Sequence, residues 1–173
     1  MVPDLGVGFS VSTATLVTTG RLDEDEAPVD AAAVPTYRVY GQNGLVASGS
    51  GSAAFAEAGN LSGATNANPI VVTTTANHGI TTGQPVVISG VGGNTNANGS
   101  FIATYLSNTT FSIPVAGNGA YTSGGAWHST GLYRITLTGS VLSSLEAGKT
   151  YTVIVTYTVG GDVRTEAHTF TVR

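Results

Sequence analysis

The clearest pattern in the chain is an alternation of apolar and polar residues near its C-terminal end. In the run Tyr151–Val159, tyrosine and valine occupy alternate positions and mainly threonine lies between them. Because successive side chains of a β-strand point to opposite faces, this alternation predicts a strand with one buried face. Gly160-Gly161-Asp162 has the composition of a hairpin turn, so residues 163–172 are predicted to return as the partner strand.

Shorter β-runs recur along the rest of the chain, separated by Gly, Asn and Pro. In the flanks, strands are predicted over residues 9–17, 36–40, 45–48 and 131–137, with a loop at 21–30 and a turn at 41–44. In the middle, strands are predicted over residues 70–75, 85–89, 101–105 and 110–113, with a turn at 90–94. Ser140 and Gly148 can begin and end a single helical turn, and no longer helix is predicted.

These runs predict an all-β fold with two modules. The strands of both flanks suit an immunoglobulin-like β-sandwich formed by residues 1–66 and 128–173, without the Cys pair and buried Trp of antibody domains. Four or five short antiparallel strands suit a small β-barrel inserted at residues 67–127.

The distribution of charge supports an inserted module. Only 9% of the residues are charged, and between Glu57 and Arg134 there is no Asp, Glu, Lys or Arg. An average globular domain has roughly 25% charged residues. The alternative interpretation is a β-domain rich in Thr and Asn in which this charge gap has no special meaning.

Composition also argues against several classes of protein. A net charge of −4 and a pI near 5.1 are untypical of nucleic-acid binding, and no apolar run is long enough for a transmembrane helix. Without Cys there is no disulfide, thiolate zinc site or cysteine nucleophile. The first residues lack the features of a signal peptide, which predicts a cytoplasmic product.

The middle of the chain carries an ordered series of motifs. A β-run at Ile70–Thr75 is followed by Asn77-His78-Gly79, a second β-run ending in Gly90-Val91, Asn98-Gly99, and an aromatic strand at Thr109–Ile113. Over residues 69–127 this order resembles a small β-barrel module that recurs in structural proteins of tailed bacteriophages and prophages. That module is grouped by fold with the first catalytic-cysteine half-domain (FCCH) of ubiquitin-activating enzymes. The chain has no Cys and no adenylating domain, so the likeness to these enzymes ends at the fold.

The resemblance implies a non-enzymatic virion structural protein, synthesised in the host cytoplasm. The partners it implies are the major capsid protein or other virion proteins, in a homo-oligomer for which a trimer is one option, with no nucleic acid and no membrane. Capsid decoration or cementing is the preferred role. The alternatives are an adaptor in the head–tail or tail and baseplate region, and a carbohydrate-binding receptor or adhesin module.

No catalytic, cofactor or metal site is predicted from the residues. His78 is interpreted as a turn residue, because Gly79 can adopt a positive φ and the imidazole can hydrogen-bond locally. His168 and Glu166 are spaced to share a strand face, but two ligands are too few for a metal site. The segment Gly90–Asn94 lacks the Lys and the following helix of a phosphate-binding loop.

Four further features have a structural interpretation. The acidic run Asp23–Glu26 is predicted to be a solvated loop, with docking to a basic patch on a neighbouring subunit as the alternative. Lys149 is expected in solvent, and the glycosylation-like sequons at residues 60, 98 and 108 are attributed to composition. The aromatic residues Tyr105, Phe111, Tyr121 and Trp127 are predicted to form the core of the barrel rather than an exposed platform for sugars.

Overall fold

The computed structural model describes residues 14–18, 28–137 and 139–172, and the fold is all-β. The strands are β1 (Ala14–Thr18), β2 (Thr36–Gly41), β3 (Gly44–Ser52), β4 (Ala54–Phe55), β5 (Ala58–Ala64), β6 (Ile70–Thr74), β7 (Pro85–Gly92), β8 (Gly99–Ile102), β9 (Thr104–Ser107), β10 (Thr110–Ile113), β11 (Ser123–Ser129), β12 (Tyr133–Leu137), β13 (Thr150–Val159) and β14 (Asp162–Thr171). Over these ranges the helical elements are a 3₁₀ turn at Thr95–Ala97 and one helical turn, α1 (Gly139–Leu142). The prediction that no longer helix occurs is therefore confirmed for the described residues.

The chain forms two compact units. Unit 1 takes the residues up to 54 and from 133 onward, and unit 2 takes residues 55–132. Unit 2 nearly coincides with the charge gap, and Glu57 is its single Asp, Glu, Lys or Arg. The domain boundaries predicted from the sequence lie at 66/67 and 127/128. Strand β5, which that division assigns to the flank, pairs inside unit 2 with β6 and β11.

A four-stranded antiparallel sheet in the order β14-β13-β2-β3 forms one part of unit 1. The predicted alternation in β13 is confirmed, since Tyr151, Val153, Val155 and Val159 are buried and Tyr157 is partly buried. The hairpin between β13 and β14 turns through Gly160 and Gly161, whose φ values are +62° and +90°. A two-residue turn with both φ values positive matches the twist of the flanking strands.

The second sheet of unit 1 has the order β1-β12-β4, and β4 lies where the chain leaves the unit. In β12, Tyr133, Ile135 and Leu137 are buried, while Arg134 and Thr136 are exposed. This alternation is that of a strand with one buried face, and it lies within the strand predicted over residues 131–137. The parts of the predicted first strand at residues 9–13 and of the acidic loop at residues 21–27 lie outside the described residues.

Unit 2 is a seven-stranded antiparallel sheet that nearly closes into a barrel, in the order β8-β7-β11-β5-β6-β10-β9. The two edge strands, β8 and β9, are consecutive in the chain and meet at Ala103. The N–H of Ala103 donates to the Gln84 carbonyl at 2.9 Å, and its carbonyl accepts from the N–H of Gly83 at 2.9 Å. One core fills this barrel, and it is composed of Leu61, Ala64, Ile70, Val72, Ile80, Val86, Ile88, Val91, Ala97, Ala103, Phe111, Ile113 and Trp127.

Two local predictions in the middle of the chain are wrong. The turn predicted at residues 90–94 begins too early, because β7 continues to Gly92 and buried Val91 pairs with Gly124 of β11. The strand predicted over residues 101–105 is interrupted at Ala103, which has no exposed surface. In both places the pairing partner comes from a distant part of the chain, which a local pattern does not reveal.

Candidate functional site

Three polar side chains meet in unit 2 and form what is here called the carboxylate network: Glu57, Gln84 and Ser129. Glu57 Oε2 accepts a hydrogen bond from Ser129 Oγ at 2.7 Å and another from Gln84 Nε2. Gln84 Nε2 also donates to Ser129 Oγ at 2.7 Å, and Gln84 Oε1 accepts from the N–H of Thr81 at 3.0 Å. The single carboxylate of the unit is therefore held by two donors, one directly before β7 and one at the end of β11.

The carboxylate network joins the ends of three strands of unit 2. Glu57 directly precedes β5, Gln84 directly precedes β7, and Ser129 ends β11. Ser129 is 1% exposed, so its hydroxyl has no access to a substrate. The sequence analysis missed this cluster, although one signal was present: Glu57 is the last charged residue before the gap.

His78 is buried and lies on the core of unit 2. Its Nδ1 accepts a hydrogen bond from the N–H of Ile80 at 2.9 Å, and its Nε2 lies 3.3 Å from the carbonyl oxygen of Thr110. These contacts fit a neutral imidazole that carries its proton on Nε2. Gly79 adopts φ +73°, so the local geometry is the one that the turn interpretation predicts.

The aromatic residues of unit 2 separate into buried and exposed members. Phe111 and Trp127 are 0% and 3% exposed and make edge contacts with the His78 ring, so the prediction that they are core is confirmed. Tyr121 is partly buried, and its hydroxyl donates to the carbonyl of Gly124 at 2.9 Å. The same prediction is wrong for Tyr105, which is 43% exposed because all four residues of β9 are exposed on this edge strand.

Beside Tyr105 lies an open cavity of about 580 Å³, here called the Tyr105 cavity. It is bounded by Asn77, residues 79–82, Tyr105 and Asn108, all within unit 2. The Tyr105 hydroxyl donates to Asn108 Oδ1 at 3.0 Å, and the Tyr105 N–H donates to Thr82 Oγ1 at 3.0 Å. The tyrosine ring is therefore fixed at both its backbone and its hydroxyl end.

The His168–Glu166 pair of unit 1 lies on one face of β14. His168 Nε2 is 3.5 Å from Glu166 Oε2, and the Tyr157 hydroxyl donates to Glu166 Oε1 at 2.6 Å. Among the described residues, no group of three or more His, Asp or Glu side chains is placed to hold a metal ion. His168 and Glu166 therefore share a strand face, as their spacing predicts. Glu166 also accepts the hydrogen bond from the Tyr157 hydroxyl.

The segment Gly90–Asn94 is part of the framework of unit 2. The buried Asn94 donates through Nδ2 to the carbonyl of Thr65 at 2.8 Å and accepts at Oδ1 from the N–H of Asn118 at 3.1 Å. The Asn98 side chain pairs with both the N–H and the carbonyl of Val91, at 2.8 and 3.0 Å. The Asn98 side chain thus contacts β7 beyond Ile88, the last residue of β7 that pairs with β8.

Unit 1 has a cavity of about 300 Å³ at the β2–β3 turn, with Lys149, Glu146 and Tyr151 in its lining. Lys149 is exposed, as its position beside a strand start predicts. The Tyr151 hydroxyl accepts from the N–H of Glu146 at 2.8 Å, which fixes the residues that precede β13. The acidic run Asp23–Glu26 lies outside the described residues.

Unit 2 exposes two large apolar side chains at positions near Tyr105 in the sequence. Ile102, at the end of β8, is 54% exposed, and Leu106, in β9, is 49% exposed. Leu106 and Tyr105 are consecutive in a strand, so their side chains point to opposite faces. We call Ile102 and Leu106 the apolar edge.

Comparison with known proteins gives no family assignment. No protein-family model matches the chain, and no curated protein is significantly similar to it. In the described ranges, no helix has both the length and the apolar character that crossing a bilayer requires.

Proposed function

We propose that this chain is a non-enzymatic structural protein of a tailed-bacteriophage particle, and that it decorates or cements the capsid by binding other virion subunits. In this proposal unit 1 is the immunoglobulin-like sandwich and unit 2 is the inserted phage-type barrel. The motif order over residues 69–127 supports the assignment to a phage module, and the barrel-like sheet of unit 2 is consistent with it.

The observation that carries the proposal is the apolar edge in a unit that has a single charged residue, Glu57. Ile102 and Leu106 are about half exposed, in a unit whose one carboxylate is held by Gln84 and Ser129. Charged residues are depleted from the cores of protein interfaces, and contiguous exposed apolar surface marks contact sites. The surface of unit 2 therefore offers apolar and neutral polar groups to a neighbouring subunit.

A repeated lattice explains how a small contact of this kind is sufficient. The two apolar side chains per copy give weak binding when the protein is isolated. When many copies occupy equivalent positions, or when the chain forms a homo-oligomer such as a trimer, each further contact becomes intramolecular and the avidity rises. The same reasoning applies to an adaptor in the head–tail or baseplate region, which differs in location and not in the kind of contact.

The test is the binding of the purified chain to phage particles that lack it. Ile102→Lys combined with Leu106→Lys is expected to weaken binding by about tenfold or more, because each lysine must be desolvated at the contact. Val163→Lys is the matched control, since Val163 is 71% exposed and lies in unit 1. It adds one of the two positive charges that the double variant adds, and it is expected to leave binding unchanged. Equal binding of all variants would show that the apolar edge is not the contact with the particle.

A further inference from the structure

We propose that the Tyr105 cavity is a binding site for a neutral saccharide. This inference is independent of the subunit contact proposed for the apolar edge, because it rests on the other face of β9. It concerns a ligand of a different class, so each of the two proposals can fail without the other.

The chemistry of the cavity wall selects the class of ligand. No residue that bounds the cavity carries a formal charge, and its side chains include two asparagines, two threonines, one isoleucine and one tyrosine. A phosphate or carboxylate ligand would need a cationic partner, which is absent from this lining. A purely apolar ligand would leave the amide and hydroxyl groups unpaired. A neutral polyhydroxylated ligand needs no cationic partner and can pair with the amide and hydroxyl groups.

The Tyr105 ring supplies the surface on which a sugar can stack. Tyr105 is 43% exposed, and the position of its ring is fixed by the bond from its hydroxyl to Asn108 and by an edge contact with His78 at a centroid distance of 5.9 Å. The face of an aromatic ring carries negative potential, which attracts the C–H groups on the apolar face of a pyranose. A ring that is already ordered loses little entropy when a ligand binds.

Free amide groups at the rim supply the hydrogen bonds. The side chain of Asn77 makes no hydrogen bond to the described part of the chain, and neither does Asn108 Nδ2. Each amide group offers two N–H donors, and Asn77 also offers a carbonyl acceptor, to match the mixed donor and acceptor character of sugar hydroxyls. A volume of about 580 Å³ lies within the range usual for small-molecule sites.

Isotope-edited NMR on the whole chain tests the site. Maltohexaose, chitohexaose and isomaltohexaose, each at about 10 mM, are neutral probes that differ in linkage and substituent, and this concentration detects a millimolar Kd. At least one probe is expected to shift the amide signals of residues 77–82 and 104–108 selectively. Tyr105→Ala is expected to weaken that binding about tenfold, whereas Tyr105→Phe keeps most of it because the ring face remains.

Leu106→Ala is the matched control, because it truncates the neighbouring exposed residue on the opposite face of β9 and is expected to leave saccharide affinity unchanged. If Tyr105→Ala does not fold, Asn77→Ala takes its place, since Asn77 is exposed and its loss should still weaken binding. The proposal is overturned if none of the three probes shifts these signals, or if the shifts are equal in the wild type and in Tyr105→Ala or its substitute Asn77→Ala. It is also overturned if Tyr105→Ala impairs particle binding instead, because the cavity would then be a protein contact.

Discussion

The hydroxyl of Ser129 donates a hydrogen bond of 2.7 Å to Glu57 Oε2 across 72 positions of the sequence. This bond joins the residue before β5 to the last residue of β11, which are neighbouring strands of the barrel-like sheet. The same two residues are also joined through their backbones, because the N–H of Ser129 donates to the carbonyl of Glu57 at 2.9 Å. The one carboxylate in unit 2 therefore serves to hold its strands in register.

Removing either partner of this bond should destabilise unit 2. Glu57→Ala and Ser129→Ala are each expected to lower the free energy of unfolding by about 1–3 kcal/mol, because the remaining polar group is left partly unsatisfied. Chemical denaturation measures the effect, and Ser100→Ala is the control at an exposed serine. In a double-mutant cycle the two changes should couple by about 0.5 kcal/mol or more. Strict additivity would contradict a direct interaction.

His78 should behave as a structural residue whose imidazole acts as an acceptor. His78→Ala is expected to cost about 2–4 kcal/mol, because it removes packing against Phe111 and Trp127 as well as the acceptor for the Ile80 N–H. His78→Phe should cost less, since it keeps the packing. Nitrogen NMR of the imidazole should show a neutral ring with its proton on Nε2. A proton on Nδ1 would rule out the hydrogen bond from Ile80.

Unit 2 should fold on its own. Its core residues all lie between Leu61 and Trp127, and the seven strands of its sheet lie between residues 58 and 129. A fragment of residues 55–132 is therefore expected to unfold cooperatively in denaturant. Trp127 is the single tryptophan of the chain, so its fluorescence reports on this unit alone. A fragment that shows the emission of an exposed indole without denaturant would contradict the prediction.

Tyr37 should make the stability of unit 1 depend on pH in the alkaline range. Burial raises the pKa of its phenol above the ordinary value of 10.0, because the phenolate would lose its hydration. The unfolded chain then releases this proton at a lower pH than the folded chain. The stabilisation is complete below about pH 10 and is lost as pH rises toward the folded pKa.

Tyr37→Phe should remove this part of the alkaline loss of stability, which unfolding experiments between about pH 9 and 11 can measure. Tyr105→Phe, at an exposed position in unit 2, is the matched control. If Tyr37→Phe and the wild type lose stability with the same slope, the phenol of Tyr37 does not contribute. The space around this ring is tight, since a Cβ on Gly51 would lie 2.8 Å from the Tyr37 hydroxyl oxygen.

Local sequence patterns predict the strands whose side chains alternate between core and solvent. The faces of β12 and β13 and the Gly160-Gly161 turn follow from the period of two and from turn composition. Strand β5 was not predicted, because its sequence AGNLSGA is made of small and polar residues. Its conformation depends on pairing with β6 and β11, which are separate in sequence.

The candidate sites were less predictable than the strands. The Tyr105 cavity brings Asn77 and residues 79–82 together with Tyr105 and Asn108, and the Tyr105 N–H donates to Thr82 Oγ1 across 23 positions of the sequence. The carboxylate network joins three positions that are distant in the sequence. Contacts of this kind are set by tertiary pairing. A single sequence can therefore indicate which residue types are available, but not which of them lie close together in the fold.

If the chain is part of a phage particle, as proposed above, we expect unit 2, with its single charged residue, to contact other subunits there. The most direct measurement is cryo-electron microscopy of particles purified from cells that produce the protein. The virion proposal predicts density for the chain at regular positions, with Ile102 and Leu106 facing a neighbouring subunit. A protein that is absent from the particles and occurs in the cell only as a free monomer would contradict it.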